Sequence, residues 1–69
     1  MKGWNQWVLC KDRLPNQPQN LVVTVKYGEN NYIVDLAWWD GDEFRDEDML
    51  IIEDVVAWLE FPEPYKEEV

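Results

Sequence analysis

Histidine does not occur in this chain of 69 residues, and cysteine occurs once, at Cys10. An internal disulfide bond and a four-cysteine zinc site are therefore excluded, and Cys10 has no histidine to deprotonate it for nucleophilic catalysis. The three glycines, at positions 3, 28 and 41, are too scattered for a phosphate-binding loop. No apolar run is long enough for a signal peptide or a membrane span. We therefore expect a protein that is not an enzyme, that needs no cofactor, and that neither enters a membrane nor is exported.

Basic residues are scarce, with six Lys and Arg against fifteen Asp and Glu, which gives a net charge of -9. Residues 1–27 carry four basic residues and one acid, whereas residues 28–69 carry two basic residues and fourteen acids. DNA, RNA and anionic membranes attract clusters of Lys and Arg, so this charge argues against direct binding to any of them. A basic protein is the expected partner.

The chain is short but rich in aromatic residues. Its length allows one domain, residues 1–69, and a core of that size stabilises a fold by only about 3–5 kcal/mol. Apolar residues make up 46% of the chain and five residues are tryptophan, which predicts a folded domain rather than a disordered acidic tail. Tight aromatic packing or a homodimer must supply further stability, and Trp4 and Trp7 could cover a sheet edge or a dimer interface.

Two alternating segments predict a β-hairpin from Leu21 to Trp39. In "LVVTVKY" (21–27) one face carries Leu21, Val23, Val25 and Tyr27, and the other carries Val22, Thr24 and Lys26. In "YIVDLAWW" (32–39) β-branched and aromatic residues dominate. The intervening "GENN" is typical of a turn, because Gly and Asn tolerate positive φ. The pattern gives two faces to the second strand: Tyr32, Val34, Leu36 and Trp38 on one, Ile33, Asp35, Ala37 and Trp39 on the other.

The dipeptide Asp40-Gly41 predicts a tight turn into a third strand that starts near Asp42. A two-residue loop would pair Trp39 with Asp42 and place Phe44 on the face of Trp39. A three-residue loop would instead place Phe44 across from Trp38. Turn chemistry favours the first register.

The segment 46–56 is ambiguous between helix and strand. Met49, Ile52 and Val56 have helical spacing, and the preceding acids suit the positive end of a helix. The β-branched residues and the stop at "FPEP" support short strands about equally. We predict a mainly β or α+β fold, a small antiparallel meander of three to four strands with a short helix within 46–56 as the alternative.

Both ends of the chain carry recognisable motifs. Trp7 followed by "KDRLP", the strand "LVV", the middle motif "WWDG" and the final "VVAWLEFPEP" resemble the domain of unknown function 551 family over residues 7–65. That family consists of small proteins common in bacteriophages and prophages, and the resemblance implies no established activity. It does imply a final strand from Val55 to Phe61, a phage-encoded protein and the cytoplasm of a bacterial host. Ala57 stands where many members have histidine.

Six carboxylates behind the tryptophan pair form the acidic cluster. Its pattern fails as a calcium loop, because Phe44 replaces a ligand and Arg45 occupies the position that requires glycine. Catalysis by paired carboxylates needs a substrate cleft, for which so small a domain has little room. No metal site and no catalytic residue are therefore predicted. The acidic cluster consists of Asp40, Asp42, Glu43, Asp46, Glu47 and Asp48.

Adjacent tryptophans in one strand cannot both face inward. We expect one of Trp38 and Trp39 to lie exposed, and we choose Trp39 as the binding anchor because exposed tryptophan is enriched at binding hot spots. The acidic cluster has three interpretations: a solubilising surface, an imitation of a nucleic-acid backbone, or a docking surface for a basic protein. On a strand, alternate acids such as Asp40 and Asp42 would project to one side roughly 6–7 Å apart.

The phage setting favours a protein that binds and inhibits a host protein. The specific hypothesis is a counter-defence factor of the anti-CRISPR or anti-restriction kind, which fills the basic nucleic-acid channel of a nuclease or CRISPR effector by charge mimicry. The acidic cluster would supply the charge and Trp39 the anchor. The alternative is a phage accessory module that docks on a basic partner without mimicry.

Overall fold

The computed structural model describes residues 6–62 and 64–67, which form one antiparallel sheet. The strand order across the sheet is β1-β5-β2-β3-β4. The mainly β class is confirmed, and no helix is present in the part of the chain that the structure describes, so the helix alternative for 46–56 is wrong. The same residues therefore offer no helix that could cross a membrane. The strands are β1 (Val8–Leu9), β2 (Gln19–Tyr27), β3 (Asn31–Trp39), β4 (Phe44–Arg45) and β5 (Val55–Glu60).

The predicted hairpin is present and is two residues longer than expected at its start. β2 and β3 pair without interruption from Tyr27↔Asn31 to Gln19↔Trp39. The turn begins at Gly28, whose φ of 71° lies in the region where a side chain is strained. The prediction of this ribbon is therefore confirmed, because β2 buries apolar side chains with a period of two and β3 is rich in β-branched and aromatic residues.

The turn after β3 differs from the prediction. Trp39 pairs directly with Phe44, so four residues separate the strands and the third strand starts at Phe44 rather than near Asp42. The Asp40 N–H donates to the Glu43 carbonyl at 3.1 Å, and Gly41 has a φ of 100°. Phe44 nevertheless lies on the face of Trp39, as the favoured register requires, because residues that pair directly share a face.

A second turn replaces the predicted helix. Asp46 and Leu50 are joined by a backbone hydrogen bond of 2.9 Å, and Met49 has a φ of 65° that is incompatible with a helix. The chain then runs back beside β4, where the Ile52 N–H donates to the Phe44 carbonyl at 2.8 Å. β5 follows and pairs with β2, and its span of Val55–Glu60 confirms the expected final strand to within one residue.

The core lies on one face of the sheet. Leu21 and Val23 are fully buried, and Trp58 is 2% exposed. The Trp58 indole N–H donates to the Arg13 carbonyl at 3.0 Å, and the Arg13 guanidinium lies 5.2 Å from the centre of its ring. The loop before β2 is thereby fixed over the core. The cluster of buried residues consists of Leu21, Val23, Val25, Ala37, Trp39, Phe44 and Trp58.

The opposite face of β3, which we call the open face, is largely exposed. Tyr32, Val34 and Leu36 project from it with exposures of 57%, 66% and 63%. Trp7, near the start of the described residues, is 40% exposed. Trp4, the other predicted cover for an edge, lies outside the described residues.

Candidate partner-binding groove

A groove with a volume of about 660 Å³ lies on the open face, where β3 meets the turn that follows β4. Four large apolar residues line it: Leu36, Trp38, Met49 and Phe61. Leu36, Met49 and Phe61 are 63%, 52% and 46% exposed, and Trp38 is half-buried. Exposed apolar side chains that converge on one concave surface are typical of a binding site.

Carboxylates lie along the same groove. Asp46, Glu47 and Asp48, half of the acidic cluster, line it. Glu47 and Asp48 are exposed, and Asp46 is half-buried. The arrangement joins an apolar surface to a border of negative charge, which is the complement of a ligand with both apolar and basic groups.

Asp40 has a structural role in the turn after β3. Its Oδ1 accepts hydrogen bonds from the backbone N–H groups of Asp42 and Glu43, at 2.8 and 2.7 Å. Its Oδ2 accepts a hydrogen bond of 2.6 Å from Arg45 Nε. The Arg45 bond, followed by the two backbone bonds, lowers the pKa of Asp40 from 3.8 to about 2. This carboxylate is therefore committed to the turn.

Arg45 links that turn to the next one. Its Nη1 donates to the Met49 carbonyl at 2.9 Å, while its Nε holds Asp40. The Asp40 carboxylate also raises the pKa of Arg45. Asp46 completes the second turn, because its Oδ1 accepts the N–H groups of Asp48 and Leu50 at 2.9 and 3.0 Å. Both turns that carry the acidic cluster are therefore fixed by side-chain hydrogen bonds.

The structure divides the acidic cluster between two surfaces. Asp46, Glu47 and Asp48 line the groove on the open face, whereas Asp42 and Glu43 line a smaller cavity of about 280 Å³ beside Trp39 and Phe44. The expected strand-like row of carboxylates is wrong, because β4 contains only Phe44 and Arg45. All six acids lie in turns or at strand ends.

Trp39, which was chosen as the anchor for its expected exposure, is not the exposed ring of the pair. Trp39 is 5% exposed and packs against Phe44 with their ring centres 4.7 Å apart, so it belongs to the core. Its neighbour Trp38 points to the open face and lines the groove. The sequence did signal that the two rings face opposite sides, but alternation alone does not say which side is covered.

Phe61 and Met49 are groove residues that sequence reasoning did not identify. Phe61 lies just beyond β5, and it lines the same groove as Trp38 of β3, from which it is distant in sequence. Met49 lies in a turn, whereas its spacing from Ile52 and Val56 had suggested a helix. Among the described residues, no group of three or more Cys, Asp or Glu side chains could hold a metal ion.

In comparisons with known proteins, no family model, curated protein or solved structure matches this chain. The resemblance to the domain of unknown function 551 family stays a prediction from the residues quoted above. The function is accordingly inferred from the geometry and charge of the groove.

Proposed function

We propose that this protein is a small interaction module that docks on a basic protein partner through the groove on its open face. The observation that carries the proposal is the meeting of Trp38, Leu36 and Phe61 with the carboxylates of Asp46, Glu47 and Asp48 around one groove. The net charge of -9 extends the same preference for a basic partner to the whole molecule.

The two kinds of side chain contribute differently to such a contact. Trp38 and Phe61 offer apolar area whose burial supplies affinity, and tryptophan is among the residues most enriched at binding hot spots. Exposed carboxylates such as Glu47 and Asp48 accelerate the encounter with a positive partner and orient it. Because hydrogen bonds fix their turn, docking orders little additional backbone, which reduces its entropic cost.

The setting that we propose is a bacteriophage protein acting in the cytoplasm of its host. There the docking would inhibit a host protein, and a defence nuclease or CRISPR effector is the proposed class because enzymes that hold nucleic acid carry basic surfaces, on which the groove would dock without entering the nucleic-acid channel. The resemblance in the two end motifs supports this setting. A homodimer that binds the partner is compatible with the proposal.

Charge mimicry of a nucleic-acid backbone is the second candidate. Asp42, Glu47 and Asp48 are exposed, and the Asp40–Arg45 pair connects the turns that carry them. A rigid set of outward carboxylates can occupy a channel lined with Lys and Arg. This candidate requires that nucleic acid competes with the protein for its partner, whereas apolar docking does not.

The experiment is affinity capture from a bacterial lysate with matched variants. We expect a basic protein to be retained by the wild type and by Tyr65→Ala, an exposed aromatic control outside the groove, and to be lost with Trp38→Ala. Glu47→Gln with Asp48→Asn should weaken retention in low salt, whereas Glu29→Gln in the hairpin turn should not. Circular dichroism of each variant checks that it is folded.

The outcomes separate the candidates. Retention that survives saturating nucleic acid but is lost with Trp38→Ala supports apolar docking. Retention that nucleic acid abolishes, and that Trp38→Ala leaves intact, supports mimicry instead. Equal retention by the wild type and by both groove variants would contradict a role for the groove.

A further inference from the structure

The outer edge of β3 has a long stretch without a neighbouring strand. β4 pairs only with Trp38 and Trp39, so residues 31–37 have β2 on one side and no described strand on the other. Tyr32, Val34 and Leu36, which lie in this stretch, are also among the most exposed apolar side chains. Such an edge is able to pair with another chain.

Three hydrogen bonds define which backbone groups face outward. The Lys26 N–H donates to the Asp54 carbonyl, on the β5 side of β2. The backbone N–H and C=O groups of the odd-numbered residues of β2 therefore point towards β3. These residues pair with the odd-numbered residues of β3. The backbone N–H and C=O groups of the even-numbered residues of β3 therefore point away from β2. Consistent with this, the Asp40 N–H reaches Glu43 on the β4 side, and the Leu36 N–H bonds to the carboxylate of Asp35. The outward groups thus belong to Tyr32, Val34 and Leu36.

We propose that this edge accepts an extended basic segment of the partner as an added antiparallel strand, with apolar and basic residues in alternation. The inference rests on the proposed function and specifies how the partner is held. The outward N–H and C=O groups of Tyr32 and Val34 would supply the backbone hydrogen bonds. Apolar side chains of the added strand would lie beside Tyr32, Val34 and Leu36 on the open face, which continues into the groove.

Charge selects a basic segment over a second copy of this chain. Asp35 places its carboxylate at the edge, where it accepts the Leu36 N–H at 2.8 Å, and the groove beyond it is bordered by Asp46, Glu47 and Asp48. A second copy would bring its own β3, which contains no Lys or Arg, together with another charge of -9. Lys or Arg in the added strand would instead lie beside Asp35.

The test uses an acetylated hexapeptide of alternating Lys and Val, with amide exchange in the ¹⁵N-labelled full chain as the readout. We expect the peptide to slow exchange of the Tyr32 and Val34 N–H groups. A control peptide that is N-methylated at each valine, the residue type placed opposite Tyr32 and Val34, cannot donate these backbone hydrogen bonds. It should bind about tenfold more weakly. A peptide of alternating Glu and Val should not bind.

Val34 offers a matched pair of variants in the protein itself. Val34→Pro removes an N–H that points outward, so it leaves the pairing with β2 intact while blocking the added strand. Val34→Thr keeps the N–H and the strand propensity, and it should retain binding. If Val34→Pro does not fold by circular dichroism, the N-methylated peptide still decides the question.

Three results would overturn the inference. Equal binding of the N-methylated peptide, with changes confined to Trp38 and Phe61, would contradict strand addition while leaving docking in the groove intact. Slow exchange at Tyr32 and Val34 without peptide, in a chain that sediments as a dimer, would identify a second copy as the occupant. Absence of any response to the Lys and Val peptide would also reject strand addition. The lysate capture would then test the proposed function separately.

Discussion

Arg45 Nε lies 2.6 Å from Asp40 Oδ2, and the same guanidinium donates to the Met49 carbonyl at 2.9 Å. Arg45 thus connects the turn after β3 to the turn that borders the groove. In an acidic cluster of this kind, like charges repel one another, and a single cation placed between two turns offsets part of that repulsion. The geometry of the groove therefore depends on a residue that lines it but carries the opposite charge.

Arg45→Gln should loosen the second turn without unfolding the sheet. The variant loses the charged bond to Asp40 and the bond to the Met49 carbonyl, but β4 keeps its pairing with Trp38. We expect faster amide exchange at residues 46–50 and a lower melting temperature. Glu29→Gln, a charge change in the hairpin turn, is the control; equal exchange in both variants would show that Arg45 does not fix the turn.

Acid should weaken the fold through Asp40 over a defined range of pH. Because the pKa of Asp40 is lowered from 3.8 to about 2 in the folded chain, its contribution to stability is complete above the unfolded value and is lost as the pH falls towards 2. Chemical denaturation of the wild type and of Asp40→Asn at several pH values checks this. The difference in unfolding free energy between them should shrink across that range, and a constant difference would contradict the assignment.

Leu21 and Leu36 form a matched pair for testing which face of the sheet is the core. Leu21 is 0% exposed and Leu36 is 63% exposed, although the two lie on paired strands. Leu21→Ala should cost about 2–5 kcal/mol, comparable with the whole stability of so small a domain, and Leu36→Ala less than about 1 kcal/mol. Similar costs, measured by urea denaturation, would mean that a further layer covers the open face.

The adjacent tryptophans should separate folding from binding. Trp39→Ala removes a ring that packs on Phe44 in the core and should destabilise the domain by about 3–5 kcal/mol. Trp38→Ala should leave a folded domain that no longer retains its partner. Melting curves and lysate capture on both variants check this, and a folded Trp39→Ala variant that fails to bind would restore Trp39 as the anchor.

Cys10 should react slowly with thiol reagents in the folded chain. It packs against the core, and burial raises the pKa of its thiol, which reduces the fraction of the reactive thiolate. Alkylation by iodoacetamide near pH 8 should therefore be slower in the native protein than in urea. Equal rates, with a free cysteine peptide as control, would show that the β1 region opens readily.

Local patterns in the sequence were sufficient to predict the hairpin and the final strand. The period of two in residues 21–27 reports a strand because only one side of the ribbon is buried. Turn length was not predictable in the same way. Asp40-Gly41 favours a two-residue loop, but the Asp40 side chain caps two backbone N–H groups and extends the loop to four residues.

The groove could be predicted only in part. The sequence located three of its carboxylates and the tryptophan pair, but it did not indicate which ring is covered, because that depends on the segments that pack over Leu21 and Val23. The sequence also did not indicate that Phe61 contributes to the groove. β5 lies beside β2 although β4 precedes it in the chain, and this non-local pairing brings Phe61 to the groove.

The central claim, docking of a basic ligand in the groove, is tested most directly by the indole N–H signals of the five tryptophans in a ¹⁵N-labelled sample. During titration with the alternating Lys and Val peptide, we predict that the Trp38 signal shifts and saturates. The Trp58 signal, whose indole N–H is bonded to the Arg13 carbonyl, should stay in place as an internal control. An unchanged Trp38 signal at saturating peptide, together with retention of the cellular partner by Trp38→Ala, would contradict the claim.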